Sequence, residues 1–219
     1  MKAPLTPIER KFLRRTLANT RDADCVVLIG SVARRTRTTD LGDVDVVVLN
    51  GRARTLLHPG VQTTVLSTEA FGERVRAGDD FAQWALRFGV SIRGRRKWLQ
   101  LRRDLLEDAP WPNPATKLDQ ARRRLRTARE LLDMGDSDAA HEDLLYAAGH
   151  LARAKLLSLE VFPLSRPELP GQLRDAGLDE LASALDRLRL EHELPASEVA
   201  GLLEQIERTV DSAGSSVSA

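Results

Sequence analysis

The chain reads as α+β, with a small mixed-sheet core in its first half and an all-α up-down helical bundle in its second. Three observations predict this. Apolar runs of strand length occur near 24–29, 43–49, 61–67 and 90–92, with helical segments between them. The stretch Ala109-Pro110-Trp111-Pro112-Asn113-Pro114 then has the proline density of a linker or rigid crossover. Beyond it only the periodicity of amphipathic helices remains. The expected boundaries are 1–108 for the mixed half, 109–116 for the linker, 117–213 for the bundle and 214–219 for a flexible tail of small residues.

Each element has a local reason. Thr6-Pro7-Ile8-Glu9 is an N-cap, a proline at the first helical position and an acid closing a capping box. Ile8, Phe12 and Leu13 give that helix an apolar face. Ser67 or Thr68 starts a helix to about Ala77, Gly78-Asp79 breaks it, and Asp80–Phe88 is the next. Val90–Ile92 is a short strand and Trp98–Glu107 a helix. After the prolines, Thr116–Asp119 opens a helix striped by Leu118, Ala121, Leu125, Ala128 and Leu132, which Gly135 ends. Asp136 or Ser137 caps a longer helix running to Phe162. Its wide apolar face (Ala140, Leu144, Leu145, Ala148, Leu151, Ala152, Leu156, Leu159) suits a central position. Ser165-Arg166-Pro167-Glu168 is a second capping box. Leu178, Leu181, Leu185 and Leu188 stripe a fourth helix, and Val199, Leu202, Leu203, Ile206 and Val210 a fifth.

Composition excludes several classes. The net charge of +1 gives no general electrostatic case for nucleic acid. No apolar run approaches the ~20 residues of a membrane span, and the N-terminus has no secretory h-region, so a cytoplasmic location is expected. The single cysteine, Cys25, falls inside the first strand and reads as a small core residue. His58, His141, His150 and His192 show no metal-ligand spacing.

The densest chemical signal is Leu28–Val47. An apolar strand ends in Gly30-Ser31, a basic loop with Arg34, Arg35 and Arg37 follows, and Asp43-Val44-Asp45 leads a second apolar strand. Side chains two apart on a strand share a face, so Asp43 and Asp45 point the same way and Val44 and Val46 point into the core. Two adjacent carboxylates repel, and a hard divalent cation such as Mg2+ relieves that repulsion. Gly30 lets a phosphate approach the backbone, and Ser31 adds a hydroxyl and an N–H. Arginines of the loop are candidate contacts for the β- or γ-phosphate. Such equipment suits transfer from a nucleoside triphosphate.

These residues resemble the DNA polymerase β-like nucleotidyltransferase superfamily, whose signature is an apolar strand, Gly-Ser, a spacer of about ten residues and Asp-x-Asp before a second strand. With the helices after residue 115, and with the segments Ser137–Leu144 and Phe162–Leu169, the chain resembles two-domain enzymes of the kanamycin and streptomycin nucleotidyltransferase type. The helical half of those enzymes is a HEPN-like substrate-binding domain. The resemblance implies an enzyme that moves a nucleoside monophosphate, AMP from ATP being expected, onto a hydroxyl of a small acceptor with release of pyrophosphate. It implies Asp43 and Asp45 as catalytic Mg2+ ligands and Gly30, Ser31, Arg34, Arg35 and Lys117 as nucleotide-binding residues. A protein acceptor, as in AMPylating antitoxins, is the alternative reading, and a homodimer is compatible with either.

The departure from the family is a missing third carboxylate. The strand Gly60–Ser67 has no acid, and Gln62 falls where the resemblance expects a glutamate, with Thr64 on the same face. Three explanations stand open. Glu69 or Glu73, just past the strand, takes over as the catalytic acid. The transfer needs no protein base, because phosphoryl-type transition states depend mainly on positioning and metal ions. Or the chain is a degenerate nucleotide-binding module. Two further features have two readings each: Arg122, Arg123, Arg124, Arg126 and Arg129 as a solvated helix face or as a cluster that meets nucleotide phosphates or an anionic acceptor, and Asp40 as a loop cap in preference to a metal ligand. Arg187 and His192 have the order of a HEPN ribonuclease motif, but a chain this rich in arginine produces such a pair by chance.

Overall fold

The computed structural model describes residues 7–36, 44–51, 61–191 and 193–217. The chain forms two compact units, Met1–Pro112 and Asn113–Ala219.

The first unit is built on a four-stranded mixed sheet. Its strands are β1 (Cys25–Ile29), β2 (Val44–Leu49), β3 (Val61–Leu66) and β4 (Val90–Arg93), in the spatial order β3-β2-β1-β4. β1 pairs antiparallel with β2 and β4, and β2 pairs parallel with β3. Among the described residues five helices accompany them: α1 (Pro7–Asn19), α2 (Gly30–Arg34), α3 (Thr68–Arg76), α4 (Asp80–Phe88) and α5 (Arg95–Leu106). The sequence reading treats Gly30-Ser31 as a turn; the chain instead winds a single helical turn there, α2.

The central strands are apolar on both faces because both are covered. Cys25, Val27, Ile29, Val47 and Leu49 pack with Phe71, Val75, Leu86 and Trp98 from α3, α4 and α5. Val26, Leu28, Val44, Val46 and Val48 pack with Leu13 and Leu17 of α1 and with Val32 and Ala33 of α2. Asp45 has the same strand parity as Val47 and Leu49 and so lies on the α3–α5 face. β2 therefore has no bare face for its carboxylate; Asp45 is half-buried because it stands at the strand's open end. The Cys25 thiol is buried, donates to Gly94 O at 3.5 Å and is pushed up in pKa by that burial, as expected of a core residue.

At the other end of the sheet a polar lock ties four segments together. Asn50, in the left-handed conformation at φ 52°, donates from Nδ2 to Asp24 Oδ2 and Thr68 Oγ1, both at 2.9 Å. Its Oδ1 accepts from Thr68 N at 2.8 Å, and Lys97 pairs with the free side of Asp24. The strand end, the start of α3 and the first turn of α5 are joined through these two side chains. Side-chain caps also place helix starts: Ser67 Oγ accepts from Ala70 N at 3.0 Å and Asp79 Oδ1 from Ala82 N at 2.7 Å.

The proline-rich stretch divides between the units. Gln83 Nε2 donates to Pro110 O, and the Arg87 guanidinium lies over the Trp111 ring at 6.0 Å, so residues up to Pro112 pack on α4. Asn113 belongs to the second unit, where its Oδ1 accepts from Ala115 N at 2.9 Å and caps α6 (Pro114–Asp133). The helix starts two residues before the expected Thr116 because Pro114 suits a first helical position.

α7 (Ser137–Ser158), α8 (Leu169–Asp175), α9 (Asp179–Leu190) and α10 (Ala196–Val217) complete the second unit. All the expected stripes meet in one core, with Leu144, Leu151 and Leu156 of the central α7 fully buried. α7 ends at Ser158, and Leu159, expected inside, is 51% exposed. α10 continues to Val217, beyond the residue 214 start expected for the tail. Once a long stripe is packed, adding a turn costs little. His141 is buried and its Nε2–H donates to Leu188 O at 2.8 Å, tying α7 to α9. Among the described residues no helix is long and apolar enough to cross a membrane.

Two outcomes are expected. Leu144→Ala should cost about 2–5 kcal/mol by urea unfolding. The Lys97 and Asn50 hydrogen bonds hold the Asp24 carboxyl below its ordinary pKa. A depressed carboxyl pKa stabilises the fold above the unfolded value of about 3.9, and that contribution is lost as pH falls through the folded value. Acid titration of Asp24→Asn should therefore show a smaller loss of stability below about pH 4 than wild type.

Candidate functional site

The site is the end of the sheet where β1 stops and β2 starts. β1 delivers Ile29 opposite Asp45 in the antiparallel register. Gly30 then turns the chain at φ +74° into α2. A Cβ added at Gly30 would stand 2.7 Å from Asp45 Oδ2. Only glycine satisfies both constraints here: the left-handed backbone and a carboxylate oxygen seated against it. Arg35, at φ 60°, closes α2, and Thr36 N donates to Ser31 O at 3.0 Å, so the turn holding Ser31 is bonded to itself.

On its other side Asp45 is the parallel register partner of Gln62. The neutral amide thus stands on the strand beside Asp45, on the same face, at the rim of the sheet. Glu69 is not brought there. It lies on the first turn of α3, after β3 has run from Gln62 to Leu66, about 13 Å at the rise of a strand. Because β3 is parallel to β2, its far end lies by Leu49, not by Asp45. Glu73 is one helical turn further on and exposed.

The arginines of the motif divide. The Arg34 guanidinium lies over the Phe88 ring at 4.7 Å, and Phe88 in turn meets Trp84 at 5.2 Å. Arg34 is therefore held against the end of α4, a contact made across more than fifty residues that periodicity does not signal. Arg35 is exposed. Asp43, Arg37, Asp40, His58 and His192 lie outside the described residues.

Lys117 belongs to the second unit, buried on the first turn of α6, with Nζ donating to Gln120 Oε1 at 2.9 Å. The basic face of α6 is laced with carboxylates: Arg122 meets Asp119 at 3.2 Å, Arg124 meets Asp143 at 2.5 Å, and Arg129 pairs with Glu207. Arg187 pairs with Glu198 and, at 3.5 Å, with Glu191. Among the described residues no three His, Cys, Asp or Glu side chains gather into a metal cluster. The described metal-ligand chemistry is the hard oxygen pair of Asp45 at a backbone without a side chain, a donor type that suits Mg2+.

No protein-family model and no curated protein matches this chain. Among solved structures, a nucleotidyltransferase-like protein from Exiguobacterium sibiricum 255-15 is similar at 19% identity and a TM-score of 0.46, over 93% of this chain and 73% of that one.

Gly30→Ala should cost at least about 1–2 kcal/mol, the penalty of a left-handed alanine. It should also push the Asp45 carboxylate from its seat. Urea unfolding checks the first effect, and a shift of the Asp45 carboxyl ¹³C resonance checks the second.

Proposed function

We infer that the chain is a Mg2+-dependent nucleotidyltransferase that moves a nucleoside monophosphate, AMP from ATP, onto a hydroxyl of a small-molecule acceptor and releases pyrophosphate. One observation carries this reading: the side-chain-free turn at Gly30 is seated against the Asp45 carboxylate at the open end of the sheet. A phosphate needs a backbone it can approach, and a divalent cation needs a fixed carboxylate next to it. The motif supplies both within one β-strand pair.

In the reaction, the acceptor oxygen bonds to the α-phosphorus, and the bond from that phosphorus to the bridging oxygen of pyrophosphate breaks. Bound Mg2+ would supply charge neutralisation on the phosphates. Asp45, with Asp43 two residues before it, would hold that ion. Gly30 and the Ser31 N–H and hydroxyl would orient the terminal phosphates, with Arg35 as a further candidate. Gln62 beside Asp45 cannot take the acceptor's proton, because an amide is not a base at neutral pH. The proton passes to water, and positioning carries the rate. With Glu69 a strand's length from Asp45, the reading without a protein base is preferred to the one in which Glu69 acts. The helical unit would bind the acceptor.

The test is transfer of label from α-labelled ATP with Mg2+ across a panel of hydroxylated small molecules. Asp45→Asn should abolish transfer while the circular dichroism spectrum is kept. Gln62→Glu should raise turnover by about 10²–10⁴-fold, the worth of a general base, and should add a carboxylate pKa to the rate profile. Glu69→Ala should stay near wild type. Label appearing on a protein instead would favour an AMPylating enzyme. Nucleotide binding with no transfer by wild type or by Gln62→Glu would mark a degenerate module and sink the enzymatic reading.

A further inference from the structure

We propose that Arg124, Tyr146 and Arg166 form a second anion site, in the helical unit, that takes a phosphate group. The site is independent of the nucleotidyl-transfer reading. Tyr146 is the single tyrosine of the chain and is half-buried on α7. Two guanidinium groups lie on its ring, Arg124 from α6 and Arg166 from the loop before α8, each with its carbon 5.0 Å from the ring centre. A ring face attracts a cation, but two cations on one ring also repel each other. Asp143 answers only one of them, through its 2.5 Å contact with Arg124. Among the described residues Arg166 meets no carboxylate within ion-pair distance, and the Tyr146 hydroxyl has no hydrogen-bond partner. Arg166 is exposed, so the cluster offers solvent a guanidinium without a carboxylate, stacked on a ring that carries a phenolic donor, and a net positive charge. A phosphate oxyanion satisfies all three, since guanidinium geometry matches it.

The site is also preorganised. Arg166 opens a 3₁₀ turn (Arg166–Glu168) fixed by a complete capping box, in which Glu168 Oε2 accepts from the Ser165 hydroxyl and, at 3.2 Å, from Ser165 N. Gln172 clamps the loop before it: its Oε1 accepts from Leu164 N at 2.7 Å, and its Nε2 donates to Phe162 O at 3.1 Å. An arginine on a pinned backbone loses less freedom on binding than one on a free loop.

Because only one tyrosine exists, protein labelled with ¹³C-tyrosine reports this ring as one set of resonances. The full chain is titrated with inorganic phosphate, and separately with phenyl phosphate, at ionic strength held constant with chloride. A saturable shift of the Tyr146 signals is expected with one or both. Tighter binding of the ester assigns the site to a phosphorylated organic ligand, and binding of inorganic phosphate alone assigns it to the free anion. Arg166→Gln should weaken binding by roughly tenfold or more, the worth of a charged hydrogen bond, and Arg166→Lys should retain part of it. No saturable shift with either probe would overturn the proposal. So would a shift that Arg166→Gln leaves intact, since the anion would then be held elsewhere.

Discussion

The first unit depends on the antiparallel register of β1 and β2. That pairing sets Ile29 against Asp45, and the chain must leave β1 at Gly30 directly beside a carboxylate. The turn there tolerates no Cβ, both because φ is positive and because a Cβ would stand only 2.7 Å from Asp45 Oδ2. A slip of one residue would send Asp45 to the opposite face and bury Val44 and Val46 on the wrong side. The core favours this register: both faces of β2 are packed and apolar except at Asp45, so an alignment that carries Asp45 inward buries a charge.

The two ends of the sheet have opposite characters. The lock of Asp24, Asn50, Thr68 and Lys97 closes one end, where each polar group has a partner inside the protein. That closed end fixes the strands from which the open end projects. A left-handed glycine and a carboxylate stand at the open end, and the far end is tied down, a common division between scaffold and site.

The helical unit shows how little a charge run reveals by itself. Five arginines on α6 look like a basic patch in one dimension. In three, Arg122, Arg124 and Arg129 are answered by carboxylates from their own helix, from α7 and from α10. The residue that stands out is Arg166, outside that run, because the fold sets it on the ring that Arg124 already occupies.

The sequence by itself determined the α+β order, the apolar stripes of the bundle and most helix caps, because these follow from local periodicity and from short-range hydrogen bonds. Ser67, Asp136 and the Ser165–Glu168 box all cap where their spacing says. The core of the candidate site was legible too, since Gly30 and Asp45 belong to one compact motif and Gln62 was picked out by its place on the next strand. Only the tertiary structure decided which partners those residues meet. Strand direction sent Glu69 to the far end, and packing of α4 turned Arg34 onto Phe88. Loop geometry brought Arg166 to Tyr146. Each of these contacts joins residues distant in sequence, and their meeting is set by how the sheet and bundle pack, which no local pattern encodes.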